Sequence, residues 1–199
     1  MTVRWGEAAS SQNFASVLAA AQQGAPWAST SIWVEYSPAV FAFLAARGSA
    51  EPEDLTSDVF LAVFDTLPAF RGGESEFRSF VFSIAYRRLV DELRKRSRRG
   101  THHEWDDARD PRHSASAESV ALDRLGESSA LSLLDELAED QRNVMVLRVV
   151  GDLTIEQIAT VLGKRPGAVK ALQRRALEAL RKKVSATRTP VVPSDDSGE

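Results

Sequence analysis

Cysteine is absent from the 199-residue chain, which excludes disulfide staples, thiolate zinc sites and thiol nucleophiles. No apolar run approaches the roughly 20 residues that a membrane-spanning helix needs, so no membrane insertion is expected. The opening stretch MTVRWGEAASSQNF lacks the apolar centre of a secretory signal. Together these absences predict a cytoplasmic protein. A large excess of one charge is missing too: 25 Lys and Arg stand against 28 Asp and Glu, a net charge of −3. That balance argues weakly against a nucleic-acid partner, but it conceals a segregation. Acids gather near 51–65 and 104–127, bases at 87–99 and 164–183, and charge sorted in this way matters more than its sum. Hydrophobic residues make up 43% of the chain, enough for an ordinary globular core.

The stretch with the densest local signals is 154–183, TIEQIATVLGKRPGAVKALQRRALEALRKK. Thr154 and Gln157 have capping-box spacing, in which each side chain satisfies an orphan donor at a helix start. Ile155, Ile158, Ala159 and Leu162 recur at helical spacing. Gly163 suits the left-handed residue that ends a helix, and Pro166 suits the first turn of the next, where its missing N–H costs nothing. Val169, Leu172, Ala176, Leu177 and Leu180 form the expected core stripe of that second helix. Lys170, Gln173, Arg174 and Arg175 lie largely off the stripe. Between Lys164 and Lys183 the one acid, Glu178, stands among eight Lys and Arg. Lys170 to Arg174 covers about 6 Å of helix, or about two base steps, the scale on which a recognition helix reads a major groove. A basic amphipathic helix can also be merely a solvated face, but the caps, the turn and the one-sided charge together favour a helix-turn-helix that binds DNA.

Upstream the chain reads as a series of helices. Residues 12–23 are Ala-rich and helical in pattern, ending near Gly24-Ala25-Pro26. A longer helix is expected over 31–47, with Pro38 able to bend it and Gly48 stopping it; its aromatics read as core. In 51–67, Pro52, Glu53 and Asp54 are first-turn residues, where acids complement the helix dipole. Leu55, Val59, Ala62 and Val63 lie on one side and Phe60, Phe64 and Leu67 on another. A helix apolar on two sides needs full burial or a partner. The glycine-rich loop 70–75 follows, with Ser75 as the expected N-cap. Residues 77–99 are aromatic first and strongly basic later, with Phe77, Val81, Ile84, Leu89 and Leu93 expected to face the core and Arg87, Arg88 and Arg94 among the residues pointing elsewhere. Rings beside a basic face suit opening DNA, since rings stack on bases and cations hold phosphates.

These segments in this order, EDLTSDVFLAVF, then LPAFRGGESEFRSFVFSIAYRRLVDELRKR, then the helix-turn-helix, resemble the bacterial RNA polymerase sigma factors of the extracytoplasmic-function type, in the sigma-70 family. The resemblance implies an all-α fold of two small helical domains, region 2 over 12–99 and region 4 over 128–184, joined by a flexible linker at 100–127 and followed by a disordered tail at 185–199. It implies a transcription initiation factor, not an enzyme, that binds core RNA polymerase, recognises −10 and −35 promoter elements and promotes strand opening. Asp54, Leu55, Asp58, Phe60 and Leu61 would contact the clamp helices of the polymerase. Phe70, Arg71, Gly72, Ser75 and Phe77 would line the pocket for a flipped −10 base, with Phe80, Arg87, Arg88 and Arg94 beside it. Extruding a base costs a few kcal/mol, which stacking worth about 1–3 kcal/mol per base can offset. Phe80 stands where several relatives carry tryptophan. Arg165, Lys170, Gln173, Arg174 and Arg175 would contact the −35 element, and region 4 would also meet the flap tip. An anti-sigma factor is a further implied partner.

The linker is polar and acidic. As a coil of about 28 residues it spans roughly 30 Å, and about 90 Å fully extended. His102, His103, Asp106 and Asp107 invite a metal reading, but they sit in a loop without a second ligand cluster, so no metal or cofactor is expected. Two other readings compete: a stand-alone helix-turn-helix regulator, which would bind one duplex site without polymerase, and a metal-dependent hydrolase built on His102 and Asp107. The first lacks an obvious effector pocket; the second lacks a nucleophile–base pair. Short helices over 129–137 and 140–150 are expected to complete the C-terminal domain, with Val144, Leu147 and Val150 buried.

Overall fold

A computed structural model describes residues 9–100, 134 and 137–187, and every regular element among them is helical. In chain order these are α1 (Ala9–Gln22), α2 (Pro26–Ala46), α3 (Pro52–Thr66), a 3₁₀ turn (Leu67–Ala69), α4 (Glu74–Gly100), α5 (Glu139–Val149), α6 (Ile155–Leu162) and α7 (Pro166–Thr187). Residues 101–127 of the expected linker, 188–199 of the expected tail, His102, His103, Asp106, Asp107 and most of the 129–137 helix lie outside the described residues, whereas Gly100 ends α4 and residues 185–187, expected in the tail, continue α7. Among the described residues no helix is long and apolar enough to cross a membrane.

Helix α2 begins five residues earlier than its periodicity suggests. Pro26 occupies its first turn and Ala25 is extended at φ −68°, ψ 117°, so the fixed proline φ starts the helix. Pro38 sits inside α2, and Gly48, at φ +79°, ends it with its N–H bonded to Ala45 O. The N-cap of α4 also differs from expectation. The helix begins at Glu74, so Ser75 lies within the first turn, and the cap is Gly73. Its N–H is satisfied by Glu76 Oε2 at 2.9 Å, the backward half of a capping box.

Helices α1 to α4 enclose an aromatic core. Phe77 is fully buried, with the rings of Phe14, Tyr36 and Phe70 centred 5.2–5.4 Å from its own. Burial, reinforced by the neighbouring Glu74 carboxylate, pushes the Tyr36 phenol well above its ordinary range. Helix α3 buries one stripe, Thr56, Val59, Phe60 and Val63, continued by Leu67. The expected two apolar sides therefore reduce to this stripe and a half-buried border of Leu55, Ala62 and Phe64.

Helices α5 to α7 form a second cluster around Val144, Leu147, Leu153, Ile158, Val169 and Ala176, all fully buried. Helix α5 buries five consecutive residues, Asn143 to Leu147, rather than one face. It packs on α7 on one side and on α2 on the other. Val150 is half-buried, and Leu177 is 37% exposed rather than part of the α7 stripe. The two clusters meet along α4 and α6, which pack extensively against each other.

Candidate nucleic-acid interface

The helix-turn-helix is built by local chemistry. Thr154 Oγ1 accepts from Gln157 N at 3.3 Å and Gln157 Oε1 accepts from Thr154 N at 2.7 Å, a complete capping box. Gly163 ends α6 at φ +62°, in the left-handed region where a Cβ is disfavoured. Three residues later Pro166 opens α7. Lys164 Nζ pairs with Asp140 at 2.9 Å, tying the turn to the start of α5. With Val169 and Ala176 holding α7 inward, Arg165, Lys170, Arg174 and Arg175 are exposed and Gln173 is half-buried beside them. Arg165 immediately precedes this 22-residue helix, and the other four lie within its first three turns or so, on a rod about 33 Å long. Arg174 has the exposed Glu178 as a loose partner at 3.8 Å.

The second surface is the loop between the 3₁₀ turn and α4. Phe70 and Phe80 are half-buried with rings 5.1 Å apart. Phe77 lies beneath them and is fully buried, so it supports the rings from the core instead of lining an open pocket. Arg71 is exposed and folds onto its own loop, donating to Pro68 O at 2.9 Å and Phe70 O at 2.7 Å. Gly72 has φ +153°, and a Cβ there would meet Glu76 Cβ at 2.8 Å, so the loop needs glycine at this point. Ser75 is exposed. Further along α4, Arg87, Arg88 and Arg94 are exposed on its basic half.

Helix α1 contributes residues that the sequence did not single out. Gln22 Nε2 donates to Leu67 O at 3.1 Å and to Phe70 O at 2.9 Å, capturing carbonyls at both ends of the 3₁₀ turn that aims the loop. An open cleft of about 380 Å³ lies between α1 and the loop, with Phe14, Leu18 and Gln22 on one wall and Gly72, Gly73 and Ser75 on the other. Long-range side-chain bonds of this kind carry no periodic signal, so sequence pattern had no means of finding Gln22.

The third surface is the outer face of α3. At about 100° per residue, Asp54, Asp58, Leu61 and Asp65 share one side, and all four are exposed. Leu61 is 69% exposed, an apolar residue ringed by carboxylates, and Leu55 borders it. Phe60 is elsewhere: it is 1% exposed and packs edge-on against Trp33 at 4.9 Å. Of the five residues expected at this contact, four are on or beside one face and Phe60 belongs to the core.

Sequence and fold comparisons identify the family. Residues 32–99 match the model of Sigma-70 region 2 and residues 128–180 that of Sigma-70, region 4. The extracytoplasmic-function (ECF) RNA polymerase sigma factor ShbA of Streptomyces griseus is 38% identical over 132 residues, covering 65% of this chain and 69% of ShbA. SigD of Mycobacterium tuberculosis is 30% identical over 146 residues, covering 70% of this chain and 66% of SigD. BldN of Streptomyces coelicolor is 32% identical, covering 80% of this chain and 61% of BldN. The chain thus spans about two thirds of the length of these curated relatives. Two solved structures share the fold at a TM-score of 0.61 and 21% identity. They are CnrH in complex with the cytosolic domain of CnrY, covering 85% of this chain and 96% of that one, and RpoE of Bartonella quintana with the anti-sigma factor NepR, covering 80% and 98%. The two matched regions in this order, together with the identity to ShbA, establish that the chain belongs to the ECF RNA polymerase sigma factors of the sigma-70 family.

Proposed function

We propose that this protein delivers core RNA polymerase to a two-part promoter and helps open it, performing no covalent chemistry itself. The observation that carries the reading is the helix-turn-helix: a closed capping box, a left-handed glycine and an N-terminal proline leave Arg165 exposed just before α7 and Lys170, Gln173, Arg174 and Arg175 on its free side. That helix takes the −35 element. The loop around Phe70, Arg71, Gly72 and Ser75, with Phe80 beside it, takes the −10 element, and Arg87, Arg88 and Arg94 hold neighbouring phosphates. Stacking on the Phe70–Phe80 pair would offset part of the few kcal/mol needed to extrude a base.

Core polymerase binds the outer face of α3, where Leu61 supplies apolar contact and Asp54, Asp58 and Leu55 surround it; the clamp helices are the partner, and the flap tip meets the C-terminal domain. Two weak DNA contacts on one chain gain avidity through their tether. The protein works in the cytoplasm and is a target for an anti-sigma factor, a reading supported by the complex in which the fold relative RpoE is held by NepR.

Run-off transcription with bacterial core polymerase on a library of duplex promoters tests the proposal. New sequence-selective transcripts that depend on the protein are expected, and their alignment returns both elements. Neither transcripts nor co-elution with core would overturn it, and tight binding to a single duplex site without polymerase would replace it with the stand-alone regulator.

A further inference from the structure

Helix α1 ends at a residue that reaches the −10 loop. Leu18 and Ala21 are buried, and the helix is seated on α2. Its end is fixed by a Schellman pair of bonds: Gly24, at φ +81°, donates to Ala21 O and Ala25 donates to Ala20 O, both at 3.0 Å. Gln22, the last residue of α1, therefore starts from a rigid frame. It is half-buried, with Nε2 3.1 Å from Leu67 O and 2.9 Å from Phe70 O. Both partners are carbonyl oxygens, which only accept, so the amide presents its nitrogen here and each of its two N–H groups takes one carbonyl.

The two carbonyls flank the 3₁₀ turn. Leu67 O also accepts from Phe70 N at 3.0 Å, the bond that closes the turn. Phe70 itself is extended, at φ −63°, ψ 139°. The chain leaves the turn at this residue, and its ring is set there against Phe80 and Phe77. Phe70 O has a second side-chain donor, Arg71 Nη1 at 2.7 Å. The two donors differ in kind. Arg71 is exposed and belongs to the loop itself, and the proposed function sends its guanidinium to DNA. Gln22 comes from another helix and stays on Phe70 O when Arg71 leaves. Without Gln22, a promoter that draws Arg71 away would strip both side-chain donors from the carbonyl that orients the Phe70 ring, and a carbonyl left without a partner is costly.

We propose that Gln22 is a positioning residue for −10 reading: its amide staples the 3₁₀ turn to α1, so that Arg71 exchanges Phe70 O for DNA while the Phe70–Phe80 pair keeps its place. Helix α1 thereby acts on promoter choice through the loop. The inference deepens the −10 assignment made above and rests on it.

The test compares Gln22→Met, which keeps an unbranched side chain of similar length but has no donor, with Gln23→Met at the exposed position beside it. In the free full-length protein, amide hydrogen exchange followed by NMR reports on the loop without DNA. The Phe70 amide should lose protection about tenfold in Gln22→Met. The Phe77 amide, bonded to Gly73 O at 2.9 Å, should keep its protection, and Gln23→Met should change neither. In the holoenzyme with bacterial core polymerase, run-off transcription on the promoter library reads base preference. If about a tenth of the Gln22→Met loops are competent, use of the preferred −10 sequences falls about tenfold. Preference at −35 and affinity for core polymerase should not move, which separates positioning from a general loss of fold. Arg71→Ala tells failure of this role from failure of the −10 assignment. If Arg71→Ala shifts the −10 preference and Gln22→Met does not, the positioning role is overturned and the −10 assignment stands. If neither shifts it, the −10 assignment fails and takes this proposal with it. Unchanged protection of Phe70 in Gln22→Met, or equal losses at −10 and −35, would overturn the positioning role alone.

Discussion

Arg47 Nε donates to Asn143 Oδ1 at 2.6 Å across 96 positions of sequence, and the two residues are 6% and 2% exposed. Arg47 also approaches Glu139 at 3.8 Å. A guanidinium held this far from water depends on its acceptors, because a buried charge that loses a partner keeps its desolvation cost. Asn143→Ala removes one of them. We expect a loss of about 2 kcal/mol in urea unfolding, detected equally by probes on α2 and α5, since the bond joins the two helical clusters. A loss confined to α5–α7 would mean that the clusters unfold separately.

The outer face of α3, proposed above as the polymerase contact, allows binding to be tested apart from stability. Leu61 is 69% exposed, so Leu61→Glu should change stability by no more than about 0.5 kcal/mol. It replaces the apolar centre of the acidic face with another carboxylate, and affinity for core polymerase should fall at least tenfold, as read by competition with a reference sigma factor. Phe60→Ala should do the opposite. Removing a buried phenylalanine costs about 3–5 kcal/mol, which appears as a lowered melting temperature. Unchanged core affinity for Leu61→Glu would move the docking surface away from α3.

The contrast between Leu61 and Phe60 shows where the sequence was legible. Helix existence, the capping box, Gly163 and Pro166 all depend on residues within a few positions of each other, so spacing alone reveals them. Phe60 and Phe77 depend on what lies across the core. Only Trp33 over the first and Phe14, Tyr36 and Phe70 around the second make them supports rather than contacts. Helix α5 defeats periodicity for a related reason. With α7 on one side and α2 on another, five consecutive residues are buried, and no single amphipathic stripe describes it. Ser75 resembled an N-cap by composition, but Glu76 caps Gly73 instead, and Ser75 is engaged by Gln157 from another helix.

Lys170 and Arg174 lie one turn apart on the free side of α7. Alanine at either should reduce promoter-dependent transcription, and the two readings of their role differ in pattern. A base-edge contact costs about 1–3 kcal/mol at one position and relaxes preference there, whereas a phosphate contact weakens every sequence alike and lowers the salt slope by about one. Transcription from a promoter library at two salt concentrations distinguishes them. Because both side chains are exposed, the melting temperature should stay within the range of ordinary surface substitutions. No effect on any promoter would remove α7 from the −35 contact.

Tyr36 makes the fold sensitive to alkali. Burial, with Glu74 nearby, raises the phenol far above its ordinary value, and burial with Asp140 nearby raises Tyr86 in the same direction. In the unfolded chain both titrate near 10. The folded state therefore holds protons that the unfolded state releases. The stability linked to these protons is intact below about pH 10 and is lost as pH rises from there toward the folded-state values. While only the unfolded form ionises, each such tyrosine lowers stability by about 1.4 kcal/mol per pH unit. Tyr36→Phe should flatten this decline above pH 10 in urea unfolding at a series of pH values. The same slope in both proteins would mean that Tyr36 ionises as readily folded as unfolded, and that the ring cluster around Phe77 admits water.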